Sequence, residues 1–451
     1  MGLAQLKQTE AQQKTIVVGL GKTGLSCARF LQRQGVDVLV ADSRAEPPGM
    51  QSLHDELPQV DVRLGVFDSA LFKQARMLVV SPGISLRDPA IAAAIEAGVE
   101  VIGDIELFAR HAQAPVVAIT GSNGKSTVTT LLGEMAKSAD KEVRVGGNIG
   151  TPVLDLLQTN EPHLYVLELS SFQLETTSSL KAIAAVVLNV SQDHLDRYRD
   201  MQEYAETKYR IYNGATYKLV NLDDPMVAKW KGGDSWHGFG LSEPGAEMDF
   251  GLIERNGQKW LAKGEECLMP VSELKLTGTH NVANVLAALA LGDSLGLDMD
   301  AMLKTLRNFA GLSHRCQWLA HQNGVDWYND SKATNVGAAV AAISGMPGKV
   351  VLLAGGEGKG QDFSPLKNAL ASNGRAVVLF GRDADLLAHS VDKAVPVHHV
   401  ATLKQAVETA SCIAHKGDVV LLAPACASFD MFSGYEERGD QFAAAVAEVL
   451  A

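Results

Sequence analysis

One segment of the chain has the residue types and spacing needed to hold a phosphate group. It is the run TGSNGKST over Thr120–Thr127, which follows an apolar strand pattern and precedes a helix pattern. Backbone N–H groups of such a loop, the Lys125 ammonium and the Ser126 hydroxyl can converge on one anion and its metal ion. A standard phosphate loop has glycine five positions before Gly124, where this chain has Ile119. The pattern therefore predicts a shortened phosphate loop, and the alternative is a plain helix start with a solvated Lys125.

A second glycine loop opens the first helix pattern of the chain. The run GLGKTG over Gly19–Gly24 follows a short apolar strand pattern, and Asp42 ends the next predicted strand. Glycines here permit a tight turn and close approach of a pyrophosphate to the helix N-terminus. The pattern predicts a nucleotide site, either for NAD with Asp42 on a ribose hydroxyl or for a uridine diphosphate near Lys22 and Arg44. A turn whose glycines only allow close packing is the alternative.

Two further polar groups stand where predicted strands end. Glu168 closes the apolar run LYVLE, where an uncompensated buried carboxylate would be costly. A magnesium ion would offset that cost, with Ser126 as a second oxygen ligand. The alternative is a carboxylate that accepts hydrogen bonds from Ser170 or Ser171. His194 follows the strand pattern AAVVLNV. Three interpretations of this residue stay open: a metal ligand, a substrate contact or a structural histidine.

Polar residues on helix patterns offer fewer local clues. Lys208, in the amphipathic stretch MQEYAETKYRIY, is by spacing alone an ordinary solvated lysine. Asn281 and Asn284 stand three apart, so they share one side of a helix start. Arg315, in GLSHRCQW, carries a forked guanidinium that suits phosphate, although a surface ion pair is the plainer interpretation.

These groups need elements to position them, and strand patterns alternate with helix patterns along most of the chain. Such alternation predicts crossover units on parallel sheets. We expect an α/β protein of three domains. They are a Rossmann-like domain over residues 1–103, a central P-loop-type ATPase domain with a parallel sheet over 104–311, and a C-terminal Rossmann-like domain over 312–451.

Two departures from this alternation are predicted. Between Trp236 and Leu276 the sequence changes to short strands and turns, which indicates a β insertion at the edge of the central domain. Around Asn323-Gly324 two alternating runs meet at a dipeptide typical of a type I′ hairpin turn. A last helix is expected to end at Ala451.

Composition excludes several classes of protein. The 451 residues carry 40 Lys plus Arg against 52 Asp plus Glu, a net charge of −12 that repels nucleic acid on average. Five cysteines without a CxxC pair suit a reducing compartment better than a disulfide framework or a zinc site. Nowhere do about eighteen apolar residues run uninterrupted. We therefore expect a soluble, cytoplasmic protein that binds neither nucleic acid nor membrane.

Taken together, the motifs resemble the Mur ligase superfamily, the ATP-dependent amide ligases of peptidoglycan precursors and their folylpolyglutamate synthetase relatives. The resemblance rests on TGSNGKST, NDSKATN, and the tail ACASFD with YEERGDQF, and it covers essentially the whole chain. It implies that the first domain holds the UDP part of a substrate, the middle domain ATP, and the third the amino acid. It further implies that D-glutamate is joined to UDP-N-acetylmuramoyl-L-alanine through an acyl phosphate, with ATP and two Mg²⁺ ions, in a monomeric protein.

The resemblance also assigns roles to residues by their place in these motifs. The implied catalytic residues are Lys125, Glu168, His194, Lys208 and Lys332. The implied ATP contacts are Gly121, Asn123, Gly124, Lys125, Ser126, Thr127, Asn281, Arg315 and Asp330, with Asn284 beside them. The implied substrate contacts are Thr23, Asp42, Ser43, Arg44, Gly83, Asn148, His194, His314, Thr334, Lys359, Ser428 and Tyr435. The implied Mg²⁺ ligands are Ser126, Glu168, His194 and, once carbamylated, Lys208.

Two other functions stay open from the residues alone. An NAD-dependent oxidoreductase with a second nucleotide domain would use the first glycine loop and Asp42. A non-catalytic protein gated by ATP would need the phosphate loop but not the set of carboxylates and lysines. Phosphate release that requires both substrates supports the ligase, whereas saturable quenching of NADH fluorescence supports the oxidoreductase.

Overall fold

Three separate sheets organise the computed structural model, which describes residues 14–193, 197–245, 248–276 and 278–450. The fold is α/β throughout, as the alternating patterns predict. Each sheet lies within one of the three predicted domain stretches, whose boundaries stay a prediction. None of the helices in the described ranges combines the length and apolar character needed to cross a bilayer.

The first sheet has five strands, all parallel. Its elements are β1 (Thr15–Val18), α1 (Lys22–Arg33), β2 (Val38–Asp42), α2 (Met50–Glu56), β3 (Asp61–Leu64), α3 (Ser69–Lys73), β4 (Met77–Val80), α4 (Pro89–Glu96) and β5 (Glu100–Ile102). The strand order is β3-β2-β1-β4-β5. The apolar runs predict β1, β2, β4 and β5 correctly. They miss β3, because this edge strand exposes most of its side chains and so carries no apolar run.

The second sheet has nine strands in the order 14-13-12-11-10-9-6-8-7. Its strands are β6 (Val116–Thr120), β7 (Val143–Gly147), β8 (Leu164–Glu168), β9 (Ala184–Val187), β10 (Tyr217–Asn221), β11 (Trp236–Phe239), β12 (Phe250–Arg255), β13 (Gln258–Lys263) and β14 (Glu266–Pro270). Its helices are α5 (Asp104–Ala109), α6 (Lys125–Ser138), α7 (Ser171–Glu175), α8 (Met201–Tyr209), α9 (Pro225–Ala228), α10 (Thr279–Ser294) and α11 (Met299–Asn308). Single 3₁₀ turns cover Val153–Leu156, Arg210–Tyr212 and Val271–Glu273.

The predicted β insertion is confirmed at one edge of this second sheet. Strands β6 to β11 pair in parallel, whereas β12, β13 and β14 form an antiparallel extension. Phe239 pairs with Phe250 where β12 joins β11. The extension lies beyond β10 and β11, away from β6 and β8.

The third sheet has six strands in the order 15-16-20-17-18-19. Its elements are β15 (Gln317–Gln322), β16 (Val325–Asn329), α12 (Val336–Gly345), β17 (Val350–Gly355), α13 (Ser364–Asn373), β18 (Gly374–Phe380), α14 (Ala384–Val391), β19 (Val397–His399), α15 (Leu403–Ile413), β20 (Val419–Leu422) and α16 (Tyr435–Leu450). β15 is antiparallel to β16 and the other pairs are parallel. The last helix runs to Leu450, and Ala451 lies outside the described residues.

The predicted hairpin turn between β15 and β16 is confirmed. Asn323 has φ of +56° and Gly324 has φ of +78°, and a type I′ turn requires positive φ at both central residues. The antiparallel pair then closes from Gln322 and Val325 outwards. This turn sets the end of β16, and the segment NDSKATN begins at its last residue.

The order of the central strands decides where the site forms. β6 lies between β8 and β9, and all three strands run parallel. Their carboxyl ends therefore open on one edge, which is where α/β sheets bind ligands. Helix α10 packs beside α6 in the core above the sheet and is buried on most of its surface. Its all-round apolar sequence, VLAALALG, follows from that position.

Candidate active site

The phosphate loop joins β6 to α6, and its geometry explains its last glycine. Gly124 has φ of +82°, and a Cβ built there would lie 2.2 Å from Asn284 Oδ1, so only glycine fits. Lys125 Nζ donates hydrogen bonds to the carbonyl oxygens of Gly121 at 2.7 Å and Ser122 at 2.8 Å. The ammonium thus lies on the loop, not in solvent. Free N–H groups at the start of α6 and the helix dipole favour an anion at this point.

A buried carboxylate stands directly beside this loop. Glu168, at the end of β8, accepts hydrogen bonds from Ser126 Oγ at 2.5 Å and from Asn148 Nδ2 at 2.7 Å. Ser170, an alternative partner from sequence, instead caps α7 by accepting from Gln173 N. Carboxylate, hydroxyl and amide oxygens are the ligands that Mg²⁺ prefers. The residues present at this point therefore fit that ion.

Lys208 corrects an expectation based on helix spacing. Its side chain is buried, with 1% exposed, and is not solvated. Its Nζ donates to Gly121 O at 3.0 Å and lies 4.6 Å from the centre of the Tyr204 ring. Burial, followed by the nearby charge of Lys125, holds the Lys208 pKa well below its usual value. Spacing failed because Lys208 lies on the buried side of α8 with Tyr204, beneath the phosphate loop, and no local pattern reveals that contact.

Cations from the third domain reach the same loop. Arg315 Nη2 donates a hydrogen bond to Ser126 Oγ at 2.6 Å, across 189 residues of chain. Lys332 Nζ lies 3.9 Å from the centre of the Tyr435 ring. Burial, assisted by the charges of Arg315 and Lys125, lowers the pKa of Lys332 to about 8. These positive groups converge around one small volume, as phosphoryl transfer requires.

A cavity of about 500 Å³ lies between the central and third domains and contains most of the predicted residues. The predicted residues that line it are Asn123, Gly124, Lys125, Ser126, Thr127, Asn148, Glu168, Lys208, Asn281, Asn284, Arg315, Asp330, Lys332, Thr334, Lys359, Ser428 and Tyr435. Gly121 contributes only its carbonyl, beneath the loop. His194 lies outside the described residues.

His314 takes a position behind the cavity wall. Its backbone has φ of +61° and its ring packs against Gly439. Asn329 Nδ2 approaches His314 Nδ1 at 3.2 Å, and the His314 carbonyl accepts from Lys332 N at 3.1 Å. The backbone of His314 therefore holds the neighbouring Arg315 and the Lys332 backbone in place. The His314 imidazole is not part of the cavity lining. A direct substrate contact by His314 stays a prediction.

One end of the cavity is formed by the start of α10. Asn284 Nδ2 donates to Asn281 Oδ1 at 3.3 Å, and both residues are buried. Asp330 faces them from the third domain, and burial raises its pKa to about 6. The thiol of Cys316 donates to Asp330 Oδ2 at 3.4 Å. This polar end, close to the loop at Gly124, suits the nucleoside part of a nucleotide.

The uridine residues predicted in the first domain form a separate group at the carboxyl edge of its sheet. Asp42 accepts from Leu20 N at 2.6 Å and from the Arg44 guanidinium at 2.7 Å. The guanidinium holds the Asp42 pKa at about 2. Of the predicted uridine residues, Thr23, Asp42, Ser43, Arg44 and Gly83 belong to this domain, whereas Asn148 joins Glu168 in the central cavity.

Sequence reasoning missed several residues that shape the loop. Asn123 N donates to Asn189 Oδ1 at 2.8 Å, and Asn335 Nδ2 donates to Asn123 Oδ1 at 3.2 Å. Asn189 lies in the pattern AAVVLNV and Asn335 ends NDSKATN, so both lie within quoted motifs. The strand-end argument applied to Glu168 would have found Asn189. No local pattern indicates that Asn335 crosses to the central domain.

Comparison with known proteins identifies the family to which this chain belongs. Three family models match in order: the Mur ligase MurD-like N-terminal domain at residues 13–103, the Mur ligase middle domain at 119–292 and the Mur ligase glutamate ligase domain at 314–426. The UDP-N-acetylmuramoylalanine–D-glutamate ligase of Pseudomonas aeruginosa is 56% identical over 96% of this chain and 98% of its own length. The protein of that name from Nitrosococcus oceani is 52% identical over 98% of each chain. This chain belongs to the Mur ligase family.

Solved structures agree with this family assignment at the level of the fold. A pseudomurein peptide ligase type C from Methanothermus fervidus superimposes with a TM-score of 0.62 at 20% identity, covering 97% of this chain and 100% of that one. The UDP-N-acetylmuramate–alanine ligase of Thermotoga maritima gives 0.61 at 19% identity, covering 96% and 99%. The three-domain α/β architecture is therefore that of the Mur ligases.

The low pKa of Lys332 predicts a pH limit for this Mur ligase. The Lys332 ammonium loses its proton as pH rises through about 8, whereas an ordinary lysine stays charged to about 10.4. If that charge serves the reaction, kcat/KM should fall about tenfold per pH unit above the Lys332 pKa. Lys332→Arg keeps its charge at all these pH values and should lose this falling limb. An unchanged limb in a pH profile of Lys332→Arg would contradict the assignment.

Proposed function

We propose that this chain joins D-glutamate to UDP-N-acetylmuramoyl-L-alanine at the expense of ATP, giving ADP and phosphate, in peptidoglycan precursor synthesis. The observation that carries the proposal is the Arg315–Ser126 hydrogen bond at 2.6 Å. It brings a third-domain guanidinium onto the phosphate loop, where Lys125 and Lys332 also converge. The names of relatives at 52% and 56% identity supply the substrates.

The proposed chemistry needs activation of a carboxylate. An oxygen of the alanyl carboxylate attacks the γ-phosphorus, and the bond to ADP breaks. The D-glutamate amine then attacks the acyl carbon, and phosphate leaves as the amide forms and the amine loses a proton. Charge develops on phosphoryl and carbonyl oxygens, which the cations Lys125, Arg315 and Lys332 stabilise. No nucleophilic side chain is required.

Mg²⁺ ions fit the oxygen-rich side of the site. Glu168 and Ser126 offer a carboxylate and a hydroxyl, and His194 is a further ligand proposed from sequence. When bound, Mg²⁺ neutralises phosphate charge and orients the triphosphate. We propose two ions, the second held by a carbamate on Lys208, because an ammonium has no lone pair to offer. The low pKa of Lys208 supports this, since only a neutral amine reacts with CO₂.

The remaining contacts are proposed by motif and position. ATP would lie along the loop Gly121–Thr127, with its nucleoside near Asn281 and Asp330. D-Glutamate would meet Thr334, Lys359, Ser428 and the backbone at Tyr435, with His314 nearby. The uridine diphosphate would lie on the first sheet at Thr23, Asp42, Ser43, Arg44 and Gly83, with Asn148 towards the reacting carboxylate. Cytoplasmic location and a monomeric state belong to the same proposal.

One coupled assay tests the proposed function. Phosphate release is measured with ATP, Mg²⁺ and UDP-N-acetylmuramoyl-L-alanine, and one amino acid is added at a time: D-glutamate, L-glutamate, D-aspartate or L-alanine. We expect release that requires the UDP substrate and is at least about a hundredfold faster with D-glutamate than with the others, because buried polar contacts reject a wrong stereoisomer. Release independent of the amino acid, or a preference for another one, would refute the proposal.

A further inference from the structure

One buried guanidinium lies outside every motif role above yet contacts three segments of the site. Arg438, in the first turns of α16, has 0% of its surface exposed. Burial lowers its pKa to about 10. Its hydrogen bonds go to neutral oxygens, and no carboxylate of the described residues forms an ion pair with it within 4 Å, although the charge of Asp430 acts on it from further away. Buried charges in proteins are normally paired, so an unpaired one calls for a function.

The hydrogen bonds of Arg438 tie the segments together. Its Nε donates to Ser331 Oγ at 3.0 Å and its Nη2 to Ser331 O at 2.8 Å. Its Nη1 donates to Cys426 O at 3.1 Å, in ACASFD. Ser331 Oγ in turn donates to Tyr435 O at 2.8 Å, at the start of α16. One side chain therefore joins NDSKATN, ACASFD and the final helix.

These three segments supply the amino-acid end of the cavity. Lys332 and Thr334 lie on the first, Ser428 on the second, and Tyr435 begins the third. Each of the segments reaches the cavity within four residues of a bond to Arg438 or Ser331. A shift of the guanidinium would therefore move all of these side chains together.

Backbone strain marks the same place. Ala425 has φ of +57°, in the left-handed region that residues with a Cβ avoid. Its N–H donates to Ala333 O at 2.9 Å, and the next carbonyl, of Cys426, is the one that Arg438 holds. Such strain persists only where the surroundings over-determine the backbone, and it collects at ligand-binding positions.

We propose that Arg438 is a positioning residue for the amino-acid substrate. It fixes the three segments at that end of the cavity, and its charge, which no direct ion pair among the described residues neutralises, favours a ligand with two carboxylates. The identity of that ligand as D-glutamate rests on the proposed function. A fixed positive charge buried behind the cavity lining attracts an anion more strongly than one exposed to water.

Steady-state kinetics on purified full-length variants test this role. For Arg438→Met we expect the KM for D-glutamate to rise at least about tenfold, as loss of a charge-assisted network implies. The KM for ATP and for the UDP substrate should change less than about threefold. Arg438→Lys restores the positive charge but not the forked set of guanidinium donors, so its KM for D-glutamate should lie between those of the wild type and Arg438→Met. Ser331→Ala, which keeps the guanidinium, should raise the D-glutamate KM by about threefold.

Arg375→Met is the matched control. Arg375 also belongs to the third domain, but it pairs with Asp418 at 2.8 and 2.9 Å, at the amino edge of the sheet. The kcat and the three KM values of Arg375→Met should stay at wild-type values. Equal rises in all three KM values for Arg438→Met, or a lower melting temperature with unchanged KM values, would overturn the proposal. If Arg438→Met does not fold, Ser331→Ala and Arg438→Lys test the proposal in its place. The proposal then requires that they raise the KM for D-glutamate more than the KM for ATP or for the UDP substrate. If phosphate release by the wild-type protein does not depend on D-glutamate, the proposed function itself is refuted.

Discussion

Replacement of Lys125 by alanine is expected to reduce phosphate release by at least about a thousandfold, which corresponds to about 4 kcal/mol of transition-state stabilisation. The ammonium lies on the phosphate loop, 2.7 Å from Gly121 O, where a transferred phosphoryl group would develop its charge. The side chain packs against loop carbonyls and not within a hydrophobic core. The fold should therefore stay intact, with wild-type circular dichroism and a melting temperature within a few degrees.

The matched control for this variant is Lys137→Ala. Lys137 lies on the same helix, α6, but is exposed and pairs with Glu134 at 2.8 Å. Its loss should leave turnover within about twofold of wild type, because exposed ion pairs contribute little. Lys125→Ala with near-normal turnover would refute the assignment of the phosphate loop, and with it the proposed function.

The second large effect is expected at Lys208. Both Lys208→Ala and Lys208→Arg should lose at least about a hundredfold in turnover, because neither can form a carbamate and loss of a metal ligand costs at least as much as loss of its outer-shell support. The wild-type protein should lose activity in CO₂-free buffer and regain it with bicarbonate. The low pKa of Lys208 keeps more of its amine neutral than an ordinary lysine would have at the same pH, which favours carbamate formation.

Lys229→Ala serves as the control for Lys208. Lys229 is an exposed lysine of the central domain whose Nζ lies 3.4 Å from Gln202 Oε1, and its variant should behave like the wild type. Substantial activity in Lys208→Arg, or turnover insensitive to bicarbonate, would contradict the carbamate. A crystal map that shows a bare amine at Lys208 under bicarbonate would do the same.

The Arg315–Ser126 contact explains why this site needs two domains. Ser126 donates to Glu168 and accepts from Arg315 through one hydroxyl. The phosphate loop, the proposed metal ligand and a third-domain cation therefore meet at a single atom. Any relative motion of the domains would separate the cation from the loop, so closure and charge stabilisation are coupled.

Much of the fold follows from local patterns. The buried strands of all three sheets coincide with apolar runs, and the turn at Asn323-Gly324 adopts the conformation that its residues favour. Apolar runs do not predict the edge strands β3 and β19, because the side chains of these strands are partly or fully exposed. The phosphate loop is equally local, since its glycines, lysine and serine lie within eight residues. The family and its substrates likewise follow from short motifs.

The chain's own sequence thus determined the elements, the phosphate loop and the family, because periodicity, turn chemistry and short motifs act over a few residues. Tertiary structure alone decided that Lys208 is buried, that Arg315 contacts Ser126, and that Arg438 joins three segments of the third domain. Each of these depends on contacts between residues far apart in the chain. Burial and pKa are set by such neighbours and not by residue type, so no local pattern could have indicated them.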